Sequence, residues 1–159
     1  MSRNDAPLII DMRLHPSLGE GVYAHIFGVG DKAFKLFLAY PTPHSEEKRR
    51  STFQSQCEAY SRAASDASLR SHVPIFFGPH PIGDVIDKEG KSIKQNYMTD
   101  CCYVLEALDG PHEKVLAVRD QFDHLIEAYR IFSQKGFDLH DGDVFNYDQP
   151  HHFKFVDFG

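Results

Sequence analysis

The apolar residues of this chain change period part-way along, and that change limits the folds open to it. Between Ala24 and Tyr40 they follow the two-residue rhythm of strands. Between residues 113 and 135, Val118, Phe122, Leu125, Tyr129 and Phe132 recur at spacings of four and three, the rhythm of a helix packed along one face. Strands concentrated early and a long helix late predict an α+β fold. With 159 residues, 42% of them apolar, the chain can hold one ordinary core or one small two-lobed domain, and a large multidomain assembly is excluded.

The first half reads as a hairpin, Ala24–Phe27 and Ala33–Tyr40, turned by Gly28-Val29-Gly30-Asp31. Pro41 and Pro43 stop the second strand, Ser45 caps a helix, and Glu46 and Glu47 suit the positive end of its dipole. That helix is predicted to run to about Ser68 with Phe53, Cys57, Tyr60 and Ala64 on its buried stripe. Two further strands, Val73–Phe77 and Tyr97–Leu108, bracket turns at Pro79, Pro81, Gly83 and Gly90, and the sheet is expected to be antiparallel. Asp109-Gly110-Pro111 breaks the chain and marks a lobe boundary. A helix over 113–135 closes at Gly136, and a polar loop from Asp138 to Tyr147 leads to a short strand pair around Gln149–His152.

Lys and Arg number 17 against 23 Asp and Glu, a formal charge of −6, and no basic block is long enough to neutralise a run of phosphates. Nucleic acid is therefore not expected as a partner. The acidity is uneven: residues 1–80 carry 9 basic and 8 acidic side chains, residues 81–159 carry 8 and 15. No apolar run approaches the roughly 18 residues of a membrane span, and the first residues lack a signal-peptide core, so a cytoplasmic chain without membrane contact is expected. Cys57, Cys101 and Cys102 lack metal-ligand spacing and read as packed, reduced thiols.

Five aspartates, Asp138, Asp141, Asp143, Asp148 and Asp157, fall within 20 residues. Like charges held this close favour a cation, although a solvated acidic loop would carry the same composition. Their order narrows the choice. Asp141 is followed five residues later by Asn146, and Asp157-Phe158-Gly159 comes after the apolar run Phe153–Val156. Leu18-Gly19-Glu20-Gly21-Val22-Tyr23-Ala24 precedes Ala33-Phe34-Lys35. Glu58 lies in the first helix, and Tyr103–Gly110 forms a strand end.

In this order the segments resemble the Gly-rich loop, strand-three lysine, helix glutamate, hinge, catalytic loop and Asp-Phe-Gly of the protein kinase-like superfamily. In economy the chain is most similar to minimal bacterial effector-type kinases, which would act in a host cytosol. The resemblance covers residues of about 15 to 159. It implies a protein kinase-like fold: residues 1–110 would form an N-lobe with an antiparallel five-stranded sheet, and 111–159 a reduced, mainly helical C-lobe.

It also implies ATP and Mg²⁺ as cofactors. Gly19, Glu20, Gly21 and Ala24 would lie over the phosphates, with Lys35 on them and held by Glu58. Backbone groups near Glu106 and Leu108 would meet the adenine edge, though an ordinary strand end explains that segment equally well. Asn146 and Asp157 would hold the metal, and Asp141 would accept the proton of a hydroxyl.

Four features depart from the family. The third glycine is Ala24; His140 directly precedes Asp141; the Asn146–Asp157 hairpin is short; and the chain stops at Gly159. Moving the base to Asp143 would put Asp148, not Asn, five residues on. His140 is expected to brace the loop by hydrogen bonding, and the pair His151 and His152, in a hairpin turn, is expected not to bind metal.

The resemblance implies a serine/threonine-type protein kinase. A pseudokinase or truncated kinase serving as a protein-binding module, or a small-molecule kinase, is the competing reading. With so little chain after the long helix, the stripe Val118, Phe122, Leu125, Tyr129 and Phe132 is expected to lie partly uncovered, which predicts self-association or a partner protein there.

Overall fold

A computed structural model describes residues 7–39 and 46–159; Tyr40, Pro41, Pro43 and Ser45, the predicted strand stop and helix cap, lie outside the described residues. In chain order the elements are β1 (Leu8–Asp11), β2 (Ser17–Glu20), β3 (Ala24–Val29), β4 (Lys32–Leu38), α1 (Glu46–Ala64), β5 (Phe76–Pro79), β6 (Ile82–Ile86), β7 (Tyr97–Glu106), β8 (His112–Lys114), α2 (Val115–Val118), α3 (Asp123–Gln134), β9 (Asp143–Phe145) and β10 (Lys154–Val156). The architecture is α+β. The chain divides into two compact units, residues up to 53 with 77–107, and 54–76 with 108–159. The sequence groups 1–110 together; in the structure residues 54–76 join the second unit instead.

The first unit is built on a five-stranded antiparallel sheet in the order β2-β3-β4-β7-β5. β3 and β4 pair from Ala24↔Phe37 to Val29↔Lys32, so their loop is the two residues Gly30-Asp31, with Gly30 at φ +62°. A two-residue loop needs a positive φ, and glycine supplies it without a Cβ clash. Gly28, predicted in the turn, therefore lies within β3 opposite Ala33.

Both faces of the sheet are covered. Phe27, Phe34, Leu36, Cys102 and Val104 form one cluster with Ile10, Ile82, Val85 and Tyr97. On the other face Phe37, Phe53 and Tyr103 meet ring to ring at 5.7–6.3 Å. β1 pairs in parallel with β6, a departure from the all-antiparallel expectation. Its run Leu8-Ile9-Ile10 does not alternate and so carries no strand signal.

In the second unit the long helix predicted over 113–135 is divided. His112–Lys114 pairs with β9 as a strand. The Val115 N–H donates to the Gly142 carbonyl, and Phe122 is extended (φ −138°, ψ 134°) before α3 begins. Strand pairing to a distant segment overrides the local helical period there. Gly136, at φ +87°, closes α3, and the Phe137 N–H reaches back to the Phe132 carbonyl at 3.0 Å.

The stripe expected to lie uncovered is largely enclosed. Val118, Leu125 and Phe132 are buried, and the Phe132 ring meets those of Phe137, Phe155 and Phe158 at 5.0–6.1 Å. Phe122 and Tyr129 are half-buried. Phe137, Phe155 and Phe158 supply the cover that a count of helices misses. On α1, Phe53, Tyr60 and Ala63 are buried while Ala64 is exposed and ends the helix short of Ser68. Cys101 and Cys102 are buried and in no disulfide, burial pushing the Cys101 thiol up to about 11, and Cys57 is half-buried. Among the described residues no helix is long and apolar enough to cross a membrane.

Candidate functional site

The acidic loop gains its geometry from a three-stranded sheet in the order β10-β9-β8. β9 is central, so Asp143 at its start faces Lys114 of β8 on one side and Val156 of β10 on the other. Asp157 follows β10 with φ +58°, a left-handed conformation that costs a non-glycine residue on the order of 1 kcal/mol and persists only where its surroundings enforce it. Tyr60 does so here. The Asp157 N–H donates to the Tyr60 hydroxyl at 3.0 Å, and the Tyr60 ring is fully buried between Phe76 and Phe158, at 5.5 and 4.8 Å.

The turn at Asp157 leaves its side chain hydrogen-bonded to that of Asp143. Burial and then the Asp157 charge push the Asp143 carboxyl above the ordinary carboxylate range, while Lys114, 3.4 Å away, pulls it down. A proton or a cation shared between the two carboxyl groups would relieve their mutual repulsion. Hard oxygen donors of this kind suit Mg²⁺, which commonly takes one or two carboxylates and completes its shell with phosphate oxygens and water. Among the described residues no third His, Cys, Asp or Glu joins the pair.

Asp138 is tied to the same place. Its N–H donates to the Gly159 carbonyl at 2.8 Å, the Gly159 N–H returns to the Asp138 carbonyl at 3.3 Å, and its Oδ1 accepts the His140 N–H at 2.9 Å. Asp141 is exposed in the turn that enters Gly142, and His151 and His152 are exposed at the hairpin end.

Asn146, expected to hold the metal with Asp157, is anchored to the 109–111 segment. Its Nδ2 donates to the Asp109 carbonyl at 3.2 Å, its N–H donates to the Pro111 carbonyl at 2.7 Å, and its side chain lies against Gly110. Through its Nδ2 the Asn146 amide holds the 109–111 break in shape, and a carboxyl that acts on the neighbourhood of Asp157 is that of Asp143. Asp138 precedes Asp143 by five residues, the same interval that separates Asp141 from Asn146.

The first unit carries the Gly-rich segment and the lysine. Gly19, Ile26, Lys35 and Tyr103 are successive cross-strand partners along one row of the sheet. Paired residues share a face, so Lys35 leaves the sheet on the side of Gly19, two strand spacings or about 10 Å away. β4 is an interior strand, which removes the alternative of a lysine on a wet edge. Its ammonium lies 5.5 and 5.7 Å from the ring centres of Phe37 and Tyr103.

Gly21 donates its N–H to the Ala24 carbonyl at 2.9 Å and closes the β2–β3 turn. Neither Gly19 nor Gly21 has a positive φ, and an added Cβ would find nothing nearer than 3.7 Å. The fold itself does not demand glycine at either position. Ala24, the departure from a third glycine, is buried at the start of β3. Glu20 is exposed, 3.6 Å from the buried ring of His25; that ring also meets Ser17 Oγ at 2.8 Å and the Tyr97 hydroxyl at 3.2 Å. Glu106 ends β7 opposite Lys32, and the next N–H, of Ala107, is donated to Asp31. In the second unit Glu58 is exposed on α1 and Leu108 is half-buried.

Sequence reasoning counted Asp138 and Asp143 only within the acidic cluster, weighed Asp143 only as an alternative base, placed Tyr60 only on a buried stripe, and passed over Lys114. For the two aspartates the five-residue interval was an available signal. Lys114 and Tyr60 are distant in sequence from the loop they serve and left none. Compared with the models of known protein families and with curated proteins, the chain matches none.

Proposed function

We propose that this chain is an ATP- and Mg²⁺-dependent phosphotransferase of the protein kinase-like kind, passing the γ-phosphoryl group to a hydroxyl. The observation that carries the reading is the Asp143–Asp157 carboxyl pair, with Asp138 five residues before Asp143 and paired through its backbone to Gly159. The Asp–four residues–ligand interval of the kinase pattern is thereby kept, with Asp143 where the family has Asn. Asp143 and Asp157 hold the metal, which when bound neutralises charge on the phosphate oxygens. The Asp138 carboxylate accepts the proton of the acceptor hydroxyl. Gly19 and Gly21 present backbone amides to phosphate oxygens without a Cβ in the way, and the Lys35 ammonium offsets their charge. Positioning and charge stabilisation of this sort supply most of phosphoryl-transfer catalysis. A protein acceptor of serine/threonine type remains part of the proposal.

Transfer of label from γ-labelled ATP, to the chain itself and to a protein and metabolite extract, tests the reading. Asp138→Asn is expected to lower transfer at least about 100-fold, and Asp141→Asn to leave it within a few-fold of wild type. The reverse pattern would restore Asp141 as the base. Magnesium-dependent ATP binding with no transfer to any acceptor would instead favour a nucleotide-binding pseudokinase.

A further inference from the structure

Two lysines are built into the carboxyl-rich sheet, Lys154 of β10 opposite Phe145 and Lys114 of β8 opposite Asp143. β8 is only three residues long, and its pairing with β9 runs His112↔Phe145, Glu113↔Val144, Lys114↔Asp143. The last of these sets a lysine directly across from the carboxyl that touches Asp157. Lys114 Nζ stands 3.4 Å from Asp143 Oδ1, with its own side chain 66% exposed and that of Asp143 21% exposed. Its backbone is fixed as well, because the next residue, Val115, donates its N–H to Gly142 in the acidic loop. The lysine can therefore swing its ammonium out to solvent while its Cα stays in place.

We propose that Lys114 is the resident counter-ion of the Asp143–Asp157 pair, and that a divalent cation binds by exchanging with it, so that Lys114 sets the affinity of the site. The inference rests on the reading of that pair as a metal site. In the metal-free chain the ammonium offsets part of the repulsion between the carboxyl groups. A divalent ion on the same oxygens makes that contact redundant and repels the ammonium, which moves outward. Lys114 is a positioning residue for the acidic pair, and its removal has opposite effects on the free and loaded states.

Mn²⁺ binding to the full chain without nucleotide, followed by electron paramagnetic resonance, tests this on wild type, Lys114→Met, Lys114→Arg and Asp143→Asn. The Met variant is expected to bind Mn²⁺ about two- to fivefold more tightly than wild type, the range set by a solvent-exposed charge pair. The Arg variant, which keeps the charge, should stay within about twofold of wild type. Thermal unfolding gives the second readout. Lys114→Met should melt below wild type in chelator, and saturating Mn²⁺ should close or reverse the gap.

Equal Mn²⁺ affinity in wild type and Lys114→Met, with binding lost in Asp143→Asn, would overturn the exchange while leaving the metal site standing. A melting deficit of equal size with and without Mn²⁺ would also overturn it, making Lys114 a packing residue only. No Mn²⁺ binding by any of the four proteins would remove the metal reading and this inference with it.

Discussion

At Gly142 a Cβ would stand 2.9 Å from the Val156 carbonyl oxygen and 3.3 Å from that of Leu139, both of them backbone atoms that cannot swing aside. Gly142→Ala is therefore expected to destabilise the chain by about 1–3 kcal/mol in urea unfolding, through overpacking beside Asp143. Gly19→Ala meets only an Ile26 methyl at 4.0 Å and should leave the same midpoint nearly unchanged, while weakening ATP binding if a phosphate is to approach that backbone. Equal midpoints for the two variants would contradict the packing argument.

Acid titration separates two other residues. Asp66 accepts hydrogen bonds from Lys135 and Ser68, which hold it down to about 2 from 3.8. A carboxyl with a lowered folded value contributes stability above its unfolded value, lost as pH falls through the range from 3.8 toward 2. Asp143, raised by burial, works in the opposite sense: it favours the folded chain at low pH and costs stability as pH rises above 3.8. Asp66→Asn should flatten the acid-side loss between pH 4 and 2 in unfolding curves, and an unchanged slope would show that the Lys135 contact is not held in solution. Spacing alone cannot choose between Asp141 with Asn146 and Asp138 with Asp143, since both intervals are five. The β9–β10 register, which brings together residues 13 positions apart through a loop, is what favours the second pair in the proposed reading.

Among the elements, α3 depends on one ring more than any other. Phe132 is 1% exposed and meets Phe137, Phe155 and Phe158 edge to face. Phe132→Ala should cost about 3–5 kcal/mol, measured as a lowered urea midpoint, because the three neighbouring rings cannot all collapse into the space. A loss below 1 kcal/mol would mean that α3 is held by something other than this cluster. Periodicity finds α3 and the two strands of the first hairpin because their partners lie close in sequence or their pattern is strong. It misses β1, whose three adjacent apolar residues carry no period, and β8, whose His112-Glu113-Lys114 has no apolar residue at all. Both are strands only because a distant segment pairs with them, β6 for the one and β9 for the other.

At the scale of the whole molecule, the chain passes from one unit to the other after residues 53, 76 and 107. Neither unit is one continuous stretch, so no single cut releases either intact. β7 is interior to the five-stranded sheet, between β4 and β5, and it contributes Cys102, Tyr103 and Val104 to the cores on its two faces. A fragment ending at Asn96 keeps β2, β3 and β4 but leaves β4 as an open edge flanked by Phe34, Leu36 and Phe37. Such an edge is an aggregation template. The fragment is expected to pellet or to give a collapsed ¹H–¹⁵N spectrum, and a well-dispersed spectrum would show that the sheet closes without β7.

The same threading bears on the order in which the protein is made. A ribosome delivers β2, β3 and β4 first, then residues 54–76 that belong elsewhere, and only afterwards the strand that must dock against β4. At about 5–20 residues per second, the interval between the end of β4 at residue 38 and the end of β7 at residue 106 lasts several seconds. For that time an apolar strand edge is bare on the nascent chain, and the interval is open to chaperones and to neighbouring nascent chains on the same message. Synonymous codons that slow translation between residues 54 and 96 would lengthen it without altering a single side chain.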